Sequence, residues 1–71
     1  MDREMLEQHL LHAEARVAQG DRRVTKQRRL VARLERDGQD TSEARTLLAE
    51  LEESRKLHVA DRDRLLRDLG K

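Results

Sequence analysis

The sequence predicts an all-α fold, an antiparallel helical hairpin of the coiled-coil type that dimerises into a four-helix bundle. Three observations lead to this prediction. Apolar residues recur at alternating steps of four and three along two long segments, which is the spacing of a heptad repeat. Proline is absent, and one short segment of turn and capping residues separates the two. A connection this short forces two helices to pack antiparallel.

The first helix is expected over about residues 3–37, with Asp2 as its N-cap. A glycine inside a helix costs about 1 kcal/mol relative to alanine. The heptad phase nevertheless continues through Gly20, so we predict one unbroken helix. The residues of the stripe are Leu6, Leu10, Ala13, Val17, Gly20, Val24, Gln27, Val31 and Leu34.

The turn is expected at residues 38–40. Gly38 can take the left-handed conformation that ends a helix. Asp40 can accept the free N–H groups of the next helix, and Glu43 three residues later completes a capping box. If Thr41 is the cap instead, the turn moves by one residue.

The second helix is expected over about residues 41–69 and ends at Gly70, so residues 1–71 form a single domain. Its stripe is apolar at both ends and polar at the centre. The residues of this stripe are Ala44, Leu48, Leu51, Arg55, His58, Arg62, Leu65 and Leu69. The predicted seam of the hairpin and of its oligomer consists of Leu6, Leu10, Ala13, Val17, Gly20, Val24, Val31, Leu34, Leu48, Leu51, His58, Leu65 and Leu69.

Folding the chain about residue 39 or 40 predicts which residues meet. Leu10 should lie near Leu69. Gly20 should lie near His58 or Val59. Because glycine has no side chain, it would leave room for the histidine. A histidine in the seam can change its charge near neutral pH and loosen the bundle on protonation. The structural alternative, a hydrogen bond across the seam or an imidazole that reaches water, is the favoured interpretation of His58.

Two helices with a polar centre bury little apolar surface, and a chain of this size has a marginal core. Leu11, Leu30 and Leu57 lie off the stripes and would be exposed in a monomer. We therefore predict a homo-oligomer, most simply a dimer of hairpins. Another helical protein is the alternative partner.

Charged residues make up 44% of the chain, yet the net charge is only +1. Residues 22–36 hold seven basic residues and one acidic residue. The acidic residues of the second helix are expected to neutralise much of this stretch. The alternative is a polyanion-binding or nucleic-acid-binding face, although no aromatic residue is present to stack on a base. The residues of that face are Arg22, Lys26, Arg29, Arg33 and Arg36.

The residue content argues against an enzyme. Cysteine, tyrosine and tryptophan are absent, and neither Ser42 nor Ser54 is expected to have a histidine in a triad-like arrangement. His9 and His12, with Asp68 expected nearby, supply too few ligands for a metal site. No cofactor, metal or small-molecule substrate is therefore expected. No apolar run exceeds three residues, so we expect no membrane partner and a cytoplasmic location.

Three stretches of the chain carry a resemblance to known proteins. They are Gly20-Asp21-Arg22-Arg23 with Lys26-Gln27-Arg28, then Leu34-Glu35-Arg36-Asp37-Gly38-Gln39-Asp40-Thr41, and then Leu57-His58-Val59-Ala60-Asp61-Arg62-Asp63-Arg64-Leu65. On these stretches the chain resembles a group of short, functionally uncharacterised bacterial helical-hairpin proteins. The resemblance implies a two-helix architecture and implies no mechanism. The functional expectation is thus a homo-oligomeric interaction or structural module.

Overall fold

Two long helices form almost the whole chain. A computed structural model describes residues 2–71, with α1 at Arg3–Arg36 and α2 at Ser42–Asp68. α1 begins where expected, and the other three helix ends differ from the expected ones by one residue. The Asp2 carboxylate accepts a hydrogen bond from the backbone N–H of Met5 at 2.8 Å, which satisfies one of the free donors at the start of α1.

Both helices end in the same hydrogen-bonded motif around a glycine. Gly38 has φ of 68° and Gly70 has φ of 71°, in the left-handed region. Gln39 N–H donates to the carbonyl of Leu34 at 2.9 Å, and Lys71 N–H donates in the same way to Leu66. These bonds satisfy carbonyls of the last helical turn, and the glycines make the sharp reversal possible without strain.

The start of α2 differs from the favoured prediction. Thr41, not Asp40, is the N-cap residue. Asp40 instead accepts hydrogen bonds from the backbone N–H and the hydroxyl of Ser42, at 2.9 and 2.7 Å. The capping box of Asp40 with Glu43 is therefore wrong, because the carboxylate turns to the residue two positions on. The backbone hydrogen bond from Ser42, followed by the hydroxyl bond, lowers the pKa of Asp40.

The helices pack against each other along the predicted stripes, which confirms an all-α chain folded as a two-helix hairpin. The buried apolar residues are Leu10, Ala13, Val17, Val24, Val31, Leu65 and Leu69. The other seam residues are half-buried: Leu6, Gly20, Leu34, Leu48, Leu51 and His58. α1 runs unbroken through Gly20, as the heptad phase predicts.

The hairpin is a thin rod of 53 × 15 × 14 Å. Its largest cluster of buried residues lies at the end away from the turn, where Leu10 and Ala13 of α1 pack with Leu65 and Leu69 of α2. In the part of the chain that the structure describes, no large side chain is fully buried. A single pair of helices thus covers one stripe of each helix and leaves every other face open.

Candidate interaction surfaces

The centre of the seam has a different register from the predicted one. The atoms nearest to a Cβ placed on Gly20 are Cβ and Cγ of Arg55, both at 3.6 Å. The expectation that Gly20 makes room for His58 or Val59 is therefore wrong. The guanidinium of Arg55 extends past the glycine to the carboxylate of Asp21, the next residue of α1. Because Gly20 has no side chain, the aliphatic part of Arg55 can pack against α1 there while its guanidinium pairs with Asp21.

A second polar contact crosses the seam nearer the turn. The Gln27 side chain is only 8% exposed, and its amide donates to the backbone carbonyl of Ala44 at 2.9 Å. A buried polar group needs such a partner, since leaving it unpaired costs about 1–3 kcal/mol. This bond therefore gives the buried amide of α1 a partner on α2.

One side of the hairpin carries ion pairs between the helices, and we call it the ion-paired flank. Asp21, Arg28 and Glu35 are spaced by seven residues, so they lie along one edge of α1. They pair with Arg55, Glu52 and Arg45 of α2, and the middle pair has a distance of 3.5 Å. Exposed pairs of this kind contribute about 0–1 kcal/mol each, so they favour the register more than they stabilise the fold.

The basic stretch of α1 is not neutralised within the hairpin, contrary to expectation. Among residues 2–71, Arg28 is its only member in an ion pair. Of the acidic residues of α2, only Glu52 pairs with a member of the stretch among the described residues. Six cations of the stretch have no acidic partner within the described part of the chain: Arg22, Arg23, Lys26, Arg29, Arg33 and Arg36.

The flank opposite the ion pairs forms an open groove near the turn, with a volume of about 860 Å³. Leu30 of α1 and Leu47 and Leu51 of α2 give the groove an apolar floor. No acidic residue among those described lines it. The rim is basic and consists of Arg23, Lys26, Arg29, Arg33 and Arg36. We call this feature the basic groove; the sequence analysis missed it, although Arg23 and Leu30, seven residues apart, are a signal for it.

Other large apolar side chains are exposed outside the groove. Leu11 and Leu57 are 66% and 65% exposed, as expected for residues off the seam. Leu30, which was grouped with them, is half-buried, because it forms part of the groove floor. Met5 is also exposed. These side chains leave apolar surface in contact with water on more than one face of the rod.

His9 and His12 share a shallow pocket near the open end with Arg16, Asp61 and Arg64. Asp61, and not Asp68, is the carboxylate in this pocket, and its oxygen accepts a hydrogen bond from Arg64 at 2.6 Å. Over the described residues there is no group of three or more side chains placed to hold a metal ion. Two arginines beside the histidines make the pocket electrostatically unfavourable for a cation.

Ser54 and His58 lie one turn apart on α2, with 3.4 Å between the serine hydroxyl and the imidazole Nε2. Ser54 therefore has a histidine within reach, because the i,i+4 spacing places both side chains on one helix face. The distance is long, and the structure gives the imidazole no second hydrogen-bond partner within residues 2–71 that would orient it as a base. The pair thus lacks the third group that activates a serine nucleophile.

Comparisons with known protein families, with curated proteins and with solved structures find no match to this chain. The resemblance to the bacterial helical-hairpin group stays a prediction. Within the described residues, neither helix is long and apolar enough to cross a membrane.

Proposed function

We propose that this chain is a small helical protein–protein interaction module that self-associates, with two hairpins packing into a four-helix bundle. The exposure of Leu11 and Leu57 carries the proposal. Full burial of a leucine side chain contributes about 1.5–3 kcal/mol. Burial of one of these leucines on both copies of a symmetric dimer therefore contributes several kcal/mol, comparable with the lower end of the cost of association.

The thinness of the hairpin supports the same proposal. The seam centre is polar at Gln27, Arg55 and His58, and the cluster of buried apolar residues from both helices lies at the open end. Ordering the backbone costs about 1–2 kcal/mol per residue, which a two-helix layer offsets poorly. Packing a second hairpin on the exposed leucines increases the buried apolar area without any change in the fold.

Light scattering over a concentration series, with helicity read on the same samples, tests self-association. We expect a folded dimer that dissociates on dilution, and we expect the paired change Leu11→Gln with Leu57→Gln to shift the chain toward monomer. The paired change Leu11→Met with Leu57→Met, which keeps apolar side chains at both positions, is the control and should leave the mass unchanged. A stably folded monomer at every concentration would contradict the proposal.

A second candidate function is polyanion or nucleic-acid binding through Arg22, Lys26, Arg29, Arg33 and Arg36. The observation that favours it is that these five cations have no ion-pair partner among the described residues. Binding of a mixed-sequence duplex should then weaken steeply as salt rises. The absence of binding at low salt would exclude this function.

The proposed module performs no catalysis and needs no cofactor or small-molecule substrate. The cytoplasmic location remains part of the proposal, supported by residue content alone.

A further inference from the structure

The basic groove combines an apolar floor with a basic rim. Its floor is apolar, and Leu47 is an exposed large side chain there, 45% accessible to water. Its rim carries five cations without ion-pair partners in the described chain. On the ion-paired flank, by contrast, charged residues of α1 form ion pairs with charged residues of α2. The groove therefore lacks both an apolar cover and a set of negative charges.

We propose that the basic groove binds an acidic amphipathic helix of a different protein, which completes a three-helix bundle. Leucine-like side chains spaced by three and four residues would pack on Leu30, Leu47 and Leu51. Carboxylates along one edge of the ligand helix would lie over the cations of α1. The α2 side of the groove contributes Leu47 and Leu51 only, so the opposite edge of the ligand needs no charge.

The length of the groove sets the length of the ligand. The rim extends from Arg23 to Arg36, about 20 Å along a helix axis. A bound helix of about 14 residues, or four turns, would span it. Such a ligand can meet every rim cation and all three floor leucines at once.

Charge complementarity argues against a second copy of this chain as the occupant. A second hairpin packed antiparallel on this flank would bring its pocket of Arg16, Arg64 and Asp61, which holds two cations and one anion, to the basic rim. Cations would then face cations. A nucleic acid would satisfy the rim but would leave the leucine floor uncovered by any apolar group, and the chain has no aromatic residue to stack on its bases.

This inference rests on the proposal that the chain is an interaction module. The probe is a fluorescein-labelled synthetic helix of about 14 residues, with leucines three and four apart and glutamates along one edge. Fluorescence anisotropy gives its affinity for the intact chain. Two control peptides change one property each: one has the leucines replaced by serine, the other the glutamates by lysine. We expect each control to bind at least about tenfold more weakly than the probe.

Two variants of the protein distinguish binding in the groove from binding to the whole basic stretch of α1. Arg33 lines the groove, whereas Arg22 belongs to the same basic stretch but does not line it. Arg33→Glu should weaken binding by about fivefold or more, and Arg22→Glu by less than about twofold. Leu47→Ser should also weaken binding, because it removes the most exposed part of the floor. Circular dichroism of each variant checks that the hairpin is intact.

Several results would overturn the inference. Equal binding of the serine peptide, or of a mixed-sequence duplex, would make the surface a polyanion site. If Arg22→Glu and Arg33→Glu weaken peptide binding equally, binding does not depend on the groove. Dissociation of a self-associated form by Arg33→Glu, without peptide binding, would make a second copy the occupant. Light scattering on the same samples reports self-association separately, so a failure of peptide binding is distinguishable from a failure of the proposed function.

Discussion

Replacing Gly20 with alanine should stabilise this protein, although the glycine lies at the helix contact. A helical interior gains about 1 kcal/mol when glycine becomes alanine. The new Cβ would lie 3.6 Å from Cβ and Cγ of Arg55 and 3.8 Å from its Cα, which is ordinary van der Waals contact. Each such contact contributes about 0.1–0.2 kcal/mol, so packing adds to the gain rather than opposing it.

The matched control is the same substitution at Gly38. Nothing lies within 4 Å of a Cβ there, but φ is 68°. A side chain in the left-handed conformation costs about 1–2 kcal/mol, so Gly38→Ala should destabilise the protein. The change from glycine to alanine is thus expected to stabilise the protein at residue 20 and to destabilise it at residue 38. The difference follows from backbone conformation and not from crowding.

Thermal and urea unfolding followed by circular dichroism, at one fixed protein concentration, tests the pair. A change of about 1 kcal/mol shifts the melting temperature of a domain this small by about 4–8 °C. The melting temperature should therefore rise for Gly20→Ala and fall for Gly38→Ala. A lower melting temperature for Gly20→Ala would refute the reasoning, because another helix would then have to approach Gly20 more closely than Arg55 does.

Leu65→Ala should lower the free energy of unfolding by about 2–4 kcal/mol in urea titrations, because this residue is buried in the open-end cluster. The adjacent change Leu66→Ala should cost less, since that side chain is only partly buried. Gln27→Leu should raise the urea midpoint by adding buried apolar area; a lower midpoint would show that the bond to Ala44 outweighs that gain. Because the pKa of Asp40 is lowered on folding, its stabilising effect is present above the ordinary aspartate pKa of about 3.9 and is lost as the pH falls through the folded value. Asp40→Asn keeps an acceptor that does not titrate, so stability in that acid range should depend less on pH in the variant than in the parent chain; an identical pH dependence would contradict this account.

The sequence was most informative where a local pattern has one structural solution. Heptad spacing around Val17, Val24 and Val31 is enough to define the buried stripe of α1, and the same residues are buried in the hairpin. Gly38 and Gly70 could also be identified from sequence, because each follows the last residue of a heptad stripe and glycine readily adopts the left-handed conformation that ends a helix. The start of α2 was less certain, since Asp40 and Thr41 can both cap a helix.

The candidate surfaces depend on relations between the helices that spacing along one helix does not contain. Counting from the turn placed Gly20 three residues away from its actual neighbour, Arg55, and such an error changes which side chains meet. The same limit applies to charge: the sequence shows acidic and basic segments, but only the rotation of each helix about its axis determines which charges reach each other.

The sequence by itself thus determined the fold class, the two helices and the stripe that they bury, because these follow from the periodicity of a single helix. The tertiary structure decided that Asp21, Arg28 and Glu35 are matched across one flank while the cations beside Leu30 are left without partners on the other. The physical reason is that α1 and α2 meet along one line, and the two sides of that line become chemically different only when both helices are in place.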